Sequence, residues 1–425
     1  MGDAKALRRE LLREKNFRWM MGGAAISSLG DQFTMIALPW LVLAMTGDPL
    51  TLGLVIAAMS VPRALFILVG GALVDRYSPK SVLMLSKFAN GALLAVLAGM
   101  ILTDQVSMPV VYGLAVGLGL ASAFAIPSGT SMLPHVVPSA HLPLANGMLM
   151  GMRQLTVLCG PLLAALVFAL YGDGTGTAPH AARGIGLAIA FDCFSFFFSA
   201  WTLHQVQMHD GVAKGAPRAV LRAIGDGLAT VWNDASLRVC ILYWAIGSFV
   251  VGGTIQVALP VLAGVRLEGA TSLGLLMGVN GAGALAGMAL TGTFGKLRIG
   301  TFGATLLVVD ATVGVLLIGV AWSSALWQVA ICMLLMGLLG GFMQVAIFSW
   351  IQQRVPRAML GRAMSIFMFI FMGLAPMAAA ITGALLKYVS LATMFAGAGV
   401  FLLAAACLAW LFTPMTRVTD APGSI

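Results

Sequence analysis

Asp31, Arg63, Lys87, Arg153, Asp192 and Asp310 each interrupt a long apolar run, and they are the residues best placed to do chemistry. A charge held in hydrocarbon is costly unless it is paired or faces a water-filled path, so charges in such places mark ion and proton pathways. An aspartate there can bind and release a proton. Burial favours its neutral form, a neighbouring guanidinium its ionised form, and access to water tips the balance. Asp31 and Arg63 fall near the middle of the first two apolar runs, Arg153 stands beside Gln154 in the fifth, and Asp192 lies in the sixth. Three roles are open to Asp31: a titrating proton site, half of a permanent salt bridge with Arg63 or Arg153, or a direct contact to a bound molecule. Asp192 reads more as a structural residue, although it stands with Asp31, Arg63 and Arg153 as a candidate for proton handling.

The elements that must position these residues are helices in a bilayer. Hydrophobic residues make up 60% of the 425 and charged residues 9%, against roughly 45–50% and 25% in soluble domains. The 51 glycines and 26 methionines suit closely packed transmembrane helices. Twelve apolar segments, each about 20 residues or longer as a crossing requires, lie near 18–45, 51–74, 80–103, 108–133, 142–171, 184–205, 236–264, 271–295, 300–321, 325–350, 360–386 and 391–413. Breaks fall at turn-forming clusters such as Thr46-Gly47-Asp48-Pro49 and Gly172-Asp173-Gly174-Thr175. Of the 24 Lys and Arg, only Arg183, Arg266 and Lys387 flank one face outside the spans, and those outside the spans otherwise gather on the other face. That asymmetry is the positive-inside pattern and predicts both termini in the cytoplasm. It also assigns the net charge of +9 to membrane topology and not to nucleic acid.

The chain repeats itself. Ala37-Leu38-Pro39 recurs as Ala258-Leu259-Pro260, Leu52-Gly53-Leu54 as Leu273-Gly274-Leu275, and Val137-Pro138-x-Ala140-x-Leu142 as Val355-Pro356-x-Ala358-x-Leu360. A nearly constant offset implies two homologous halves in parallel repeat. The predicted organisation is a six-helix bundle over 1–205, a cytoplasmic linker over 206–235 and a second six-helix bundle over 236–425. In the linker, Pro217 to Asn233 sets Val220, Leu221, Ile224, Leu228 and Val231 on one face, the pattern of a surface-lying amphipathic helix.

Other chemistries find little support. No Walker-type Gly-x-x-x-x-Gly-Lys-Ser/Thr occurs, which speaks against ATP-driven pumping. The histidines lack metal-ligand spacing, no nucleophile constellation is present, and Gly281-x-Gly283 sits inside an apolar run as a packing element. Cys159, Cys193, Cys240, Cys332 and Cys407 all lie in apolar segments and read as small core hydrophobes. The N-terminal basic run precedes an apolar stretch too long for a cleavable signal. No metal, no cofactor and no enzymatic activity are therefore expected.

Gly71-x-x-x-Asp75-Arg76-x-Ser78-Pro79-Lys80 links the second and third segments. It resembles the Gly-x-x-x-Asp-Arg-x-Gly-Arg-Arg signature of the major facilitator superfamily, with Ser78 and Pro79 in place of its second glycine and first closing basic residue. Ser28-Leu29-Gly30-Asp31 with Ala37-Leu38-Pro39-Trp40, Ala123-Phe124-x-x-Pro127, Leu133-Pro134-x-Val136-Val137-Pro138 and Trp232-x-Asp234-x-x-Leu237-Arg238 resemble one branch of it. That branch is the drug:proton antiporters typified by macrolide efflux pumps and the enterobactin exporter. Gly151, followed by Gly160-Pro161, resembles the antiporter motif of the fifth helix, with Ala164-Ala165 where its closing glycines stand.

The resemblance implies an all-α membrane protein of the major facilitator fold working by alternating access. It places Lys87 and Asp310 on peripheral helices, outside the site. Gly71, Asp75, Arg76 and Lys80 would form a latch with Arg362, because an anion at Asp75 is favoured near a helix N-terminus; a topogenic charge cluster is the other reading of that turn. Gly151, Gly160 and Pro161 would bend and thin the fifth helix or merely pack it. Gln32, Gln154, Gln256, Asn280, Gln344, Trp244 and Phe348, with Phe249 and Trp350, would line a substrate cavity, each equally suited to packing. The expected protein is a monomeric, proton-driven secondary exporter in the cytoplasmic membrane. Its substrate would be a hydrophobic or amphiphilic small molecule, drug-like or siderophore-like. An importer, a lipid flippase and a non-transporting membrane sensor remain the alternatives.

Overall fold

The structure, a computed structural model, describes residues 9–138, 141–172, 183–208, 232–267, 269–294, 298–355, 374 and 376–419; for 68–76 and 293–294 it describes the backbone alone. Among the described residues all regular structure is helical. The helices are α1 Lys15–Thr46, α2 Pro49–Arg76, α3 Pro79–Leu102, α4 Met108–Met132, α5 Leu142–Tyr171 and α6 Arg183–Gln205. They continue with α7 Ala235–Arg266, α8 Ala270–Phe294, α9 Phe302–Trp322, α10 Leu326–Arg354, the shorter α11 Pro376–Leu385, and α12 Leu391–Phe412. All but α11 are long and apolar enough to cross a membrane. Their ends fall within about one helical turn of the predicted segments. The first part of the predicted span over 360–386 and nearly all of the linker helix lie outside the described residues.

Local chemistry sets these ends. Gly47 (φ 60°) and Gly172 (φ 85°) turn the chain after α1 and α5 in a conformation that other residues rarely adopt. Asp48 caps α2 by accepting from the amides of Leu50 and Thr51, and Thr301 and Ser390 cap α9 and α12. α7 is irregular: a π-helical turn over Thr254–Ala258 precedes Pro260, the kind of interruption that recurs at functional sites.

The chain divides into two compact units, Met1–Met45 with Ala58–Pro217, and Thr46–Ala57 with Arg218–Ile425. In the first, small residues let α1 and α6 meet. Gly23 lies against Thr202 and Ser199, and Gly30 against Ser195 and Asp192, so that a Cβ at either would collide with α6. α3 is pinned to α4 by Ser86, which donates to the Ala121 carbonyl at 2.5 Å. The second unit uses glycine more heavily. Gly283 and Gly287 of α8 lie against α10 backbone, and Gly337 and Gly341 of α10 against α8 backbone, a reciprocal close approach. Gly314 and Gly399 do the same for α9 and α12. Residues 46–57 pack within this unit: a Cβ on Gly53 would stand 2.5 Å from the Ala379 carbonyl oxygen, and Lys387 Nζ is 3.5 Å from Asp48 Oδ1.

One polar clasp has a measurable worth. Asp234 accepts from the amides of Ser236 and Leu237 at 2.9 and 3.0 Å, capping α7. It also takes both Arg354 Nε (2.9 Å) and Nη2 (3.2 Å) from the end of α10, while that guanidinium lies over the Trp350 ring. Partial burial opposes the charge on Asp234, but the Arg354 hydrogen bonds and the Leu237 amide outweigh it and hold the carboxyl below its ordinary value. Losing a cap and a charge-assisted pair predicts that Asp234→Ala destabilises by about 2 kcal/mol. A depressed carboxylate stabilises above its unfolded value and loses that contribution as pH falls through the folded value. Melting curves of the two proteins in detergent should therefore differ at neutral pH and converge in strong acid; equal curves at neutral pH would show the clasp to be inert.

Candidate functional site

The first unit gathers five of the six charges that interrupt apolar runs, Asp31, Arg63, Lys87, Arg153 and Asp192. Asp192 of α6 is 1% exposed. Thr34 of α1 donates to its Oδ2 at 2.5 Å and Ser195 to its Oδ1 at 3.0 Å, so both oxygens are served by hydroxyls. Gly30 makes this possible, since a side chain there would occupy the place of the Asp192 carboxylate. The two hydroxyls tie the Asp192 carboxylate to α1 and to the next turn of α6.

Asp31 follows Gly30 and points elsewhere. It is exposed, and no cation among the described residues lies within ion-pair distance of it. The positive charges that reach it are those of Lys87 on α3, Arg153 on α5 and Arg63 on α2. Asp31 is thus an exposed carboxylate ringed at longer range by cations from three helices. The permanent salt bridge with Arg63 or Arg153, one of the three roles open to Asp31, is absent from this geometry. Arg63 instead reaches Ser60 at 3.5 Å, and Arg153 is itself exposed.

Lys87 belongs to this cluster, contrary to the expectation that its helix sets it outside. Its Nζ donates to Ser27 on α1 and sits 4.9 Å from the centre of the Phe196 ring on α6. Its charge acts on both Asp31 and Asp192. A flexible four-carbon stem lets the ammonium cross from α3 to the α1–α6 seam. Sequence reasoning also missed Ser27, Thr34 and Ser195. A signal for them exists: Gly23, Ser27, Gly30 and Thr34 share one face of α1, and Asp192, Ser195, Ser199 and Thr202 share one face of α6.

The other predicted residues separate. Gln32 packs its stem on Gly160, where an added Cβ would lie 2.5 Å from Gln32 Cβ, so Gly160 serves the approach of α5 to α1. Pro161 is buried inside α5, which runs unbroken from Leu142 to Tyr171. A Cβ on Gly151 meets open space, and Gln154 is half-buried. Of the latch, the side chains of Gly71, Asp75 and Arg76, and all of Arg362, lie outside the described residues. Lys80 donates to the carbonyls of His204 and Val206 at 3.0 and 2.6 Å, closing the C-terminal end of α6.

In the second unit, Gln256 sits half-buried in the π-helical turn and Gln344 half-buried in α10. Asn280 does not face a cavity freely: it donates to the Met333 carbonyl at 3.0 Å and pins α8 to α10. Trp350 is 1% exposed, stacks on Phe302 at 4.8 Å and donates to the Thr419 carbonyl, so it is a core residue. Trp244 and Phe348 pack against the same apolar cluster. Among the described residues no group of three His, Cys, Asp or Glu is placed to hold a metal ion.

Charges held inside a bundle of membrane-spanning helices mark candidate ion and proton pathways, and known transporters are similar to this chain. It is 30% identical over half of each chain to the multidrug efflux pump Tap of Mycobacterium tuberculosis, and 23% identical to the enterobactin exporter EntS of Citrobacter koseri, covering 77% of this chain and 74% of that one. Its fold matches that of a D-xylose–proton symporter with a TM-score of 0.73 over 96% of this chain and all of the other, at 11% identity, a likeness of fold alone. The sequence profile of the Major Facilitator Superfamily spans residues 20–380, and this chain, a multi-pass membrane transporter and not an enzyme, belongs to that superfamily.

Proposed function

We propose that the protein is a secondary exporter that moves a hydrophobic or amphiphilic small molecule outward across the cytoplasmic membrane in exchange for protons. The observation that carries this reading is Asp31: an accessible carboxylate within a membrane-spanning bundle, surrounded by Lys87, Arg153 and Arg63 yet bound to none of them. A carboxylate in an ion pair has little freedom to titrate. One that merely feels distant cations can take a proton when open to one side of the membrane and give it up when open to the other. The efflux pumps among the relatives support the outward direction. Asp192, fixed by Thr34 and Ser195, keeps α1 and α6 in register beside the titrating group.

Inside-out vesicles test the reading. With the interior made acidic, vesicles carrying the protein should accumulate an amphiphilic fluorescent substrate, and a protonophore should discharge it. Accumulation that ignores the protonophore would exclude proton coupling. Accumulation only in right-side-out vesicles would establish import instead.

A further inference from the structure

Asp310 stands near the middle of α9, in the second unit, apart from the cluster around Asp31. Its Oδ2 is fully buried and has no hydrogen-bonding partner among the described residues, and the same holds for the hydroxyl of Tyr243 on α7. The two orphaned groups are neighbours, since each is the polar group that acts on the other. Gly247, one helical turn beyond Tyr243, faces the same carboxylate: a Cβ there would lie 3.4 Å from Oδ2. Among the described residues, the other titratable group acting on Tyr243 is Cys407, from α12. α10 brings none to it, because Cys332 lies beside Gly319 and Arg354 is engaged by Asp234. Among the described residues no cation pairs with Asp310. An ionised carboxylate in that position would be buried without compensation, which proteins avoid by neutralising the group.

The helix that faces Asp310 is also the irregular one. The π-helical turn of α7 begins two turns beyond Gly247, so α7 has a place to bend close to the pair.

We propose that Asp310, with Tyr243 as its hydrogen-bonding partner, is a second proton-binding site, in the second half of the chain, whose loading and release are tied to the packing of α7 across Gly247. Loaded, the carboxylic acid donates its proton to the phenol oxygen. On release, the proton passes to water admitted along the Gly247 gap, and the carboxylate then accepts the phenol O–H. The purpose of the site rests on the proton-coupled reading above; its existence does not.

Infrared titration of the purified full-length protein in detergent tests it. The unsubstituted protein should show a protonated-carboxyl C=O band that Asp310→Asn removes, with one fewer proton bound per molecule. Tyr243→Phe should keep that band and shift it, because the carboxyl loses its partner. An Asp310→Asn spectrum with every carboxyl band in place would overturn the proposal. Should that variant not fold, Tyr243→Phe decides alone, and an unshifted band overturns it equally. Proton-independent transport in vesicles, with the Asp310 band intact, would sink the antiport reading and leave this site standing.

Discussion

Asp31→Asn brings accumulation in acid-loaded inside-out vesicles down to the level of vesicles without the protein, while the variant folds, binds substrate and exchanges it. The amide copies the size and hydrogen bonding of the protonated acid but cannot release a proton, so the cycle loses its driving step and retains its binding step. Stability separates this from a structural role. Breaking a buried ion pair leaves a stranded partner and costs about 3–5 kcal/mol. Asp31 has no such partner, because Lys87, Arg153 and Arg63 reach it only at longer range. The melting temperature of Asp31→Asn should therefore stay near that of the parent protein. Counterflow of labelled against unlabelled substrate, measured without a pH gradient, should persist. Full proton-driven accumulation by the variant would remove Asp31 from the coupling mechanism. A large fall in melting temperature would return it to a structural role.

Asp31 was legible because depth along a helix is written in one dimension. An acid in the middle of an apolar run is conspicuous, and the turn chemistry at Thr46-Gly47-Asp48-Pro49 and Ser78-Pro79 marks helix ends without reference to any neighbour. What the sequence leaves open is which way each helix turns its polar residues. Lys87 was assigned to a peripheral helix, yet its long stem carries the ammonium to Ser27. The partners of Asp192 were equally hidden, although small and hydroxyl residues repeat at helical spacing on α1 and α6 and Gly30 leaves the space that brings them together. The cavity residues show the opposite ambiguity. Asn280 and Trp350 are types that bind ligands well, but the same amide and indole serve equally to satisfy a carbonyl on a packed helix, which is what both do here. Reciprocal glycines such as Gly283 with Gly287 and Gly337 with Gly341 are visible in the sequence, whereas the pairing of α8 with α10 emerges only from three-dimensional packing.

Lys87→Met is expected to stop proton-driven accumulation and also to lower the melting temperature, a double loss that Asp31→Asn does not share. Methionine keeps most of the apolar stem that packs near Phe196 and removes the charge together with its hydrogen bond to Ser27. Lys87 is the cation that acts on both Asp31 and Asp192. Without it, the charge of Asp31 acts on Asp192 with only the more distant arginines in compensation, and like charges in a low-dielectric setting repel. The cost should approach the roughly 3–5 kcal/mol of a buried charge deprived of its partner, reduced by the exposure of Asp31. A second substitution identifies the cause. Asp192→Asn on the Lys87→Met background removes one of the two negative charges while leaving a carbonyl that accepts from one of the Thr34 and Ser195 hydroxyls and an NH2 that donates to the other, so the melting temperature should recover. Transport should not recover with it, because the field that sets proton binding at Asp31 has lost its main cation. If Lys87→Met melts and transports normally, the ammonium takes no part in the cluster. If it melts early and Asp192→Asn fails to restore it, the loss belongs to the contacts of the ammonium with Ser27 and Phe196 and not to the charge balance between α1, α3 and α6.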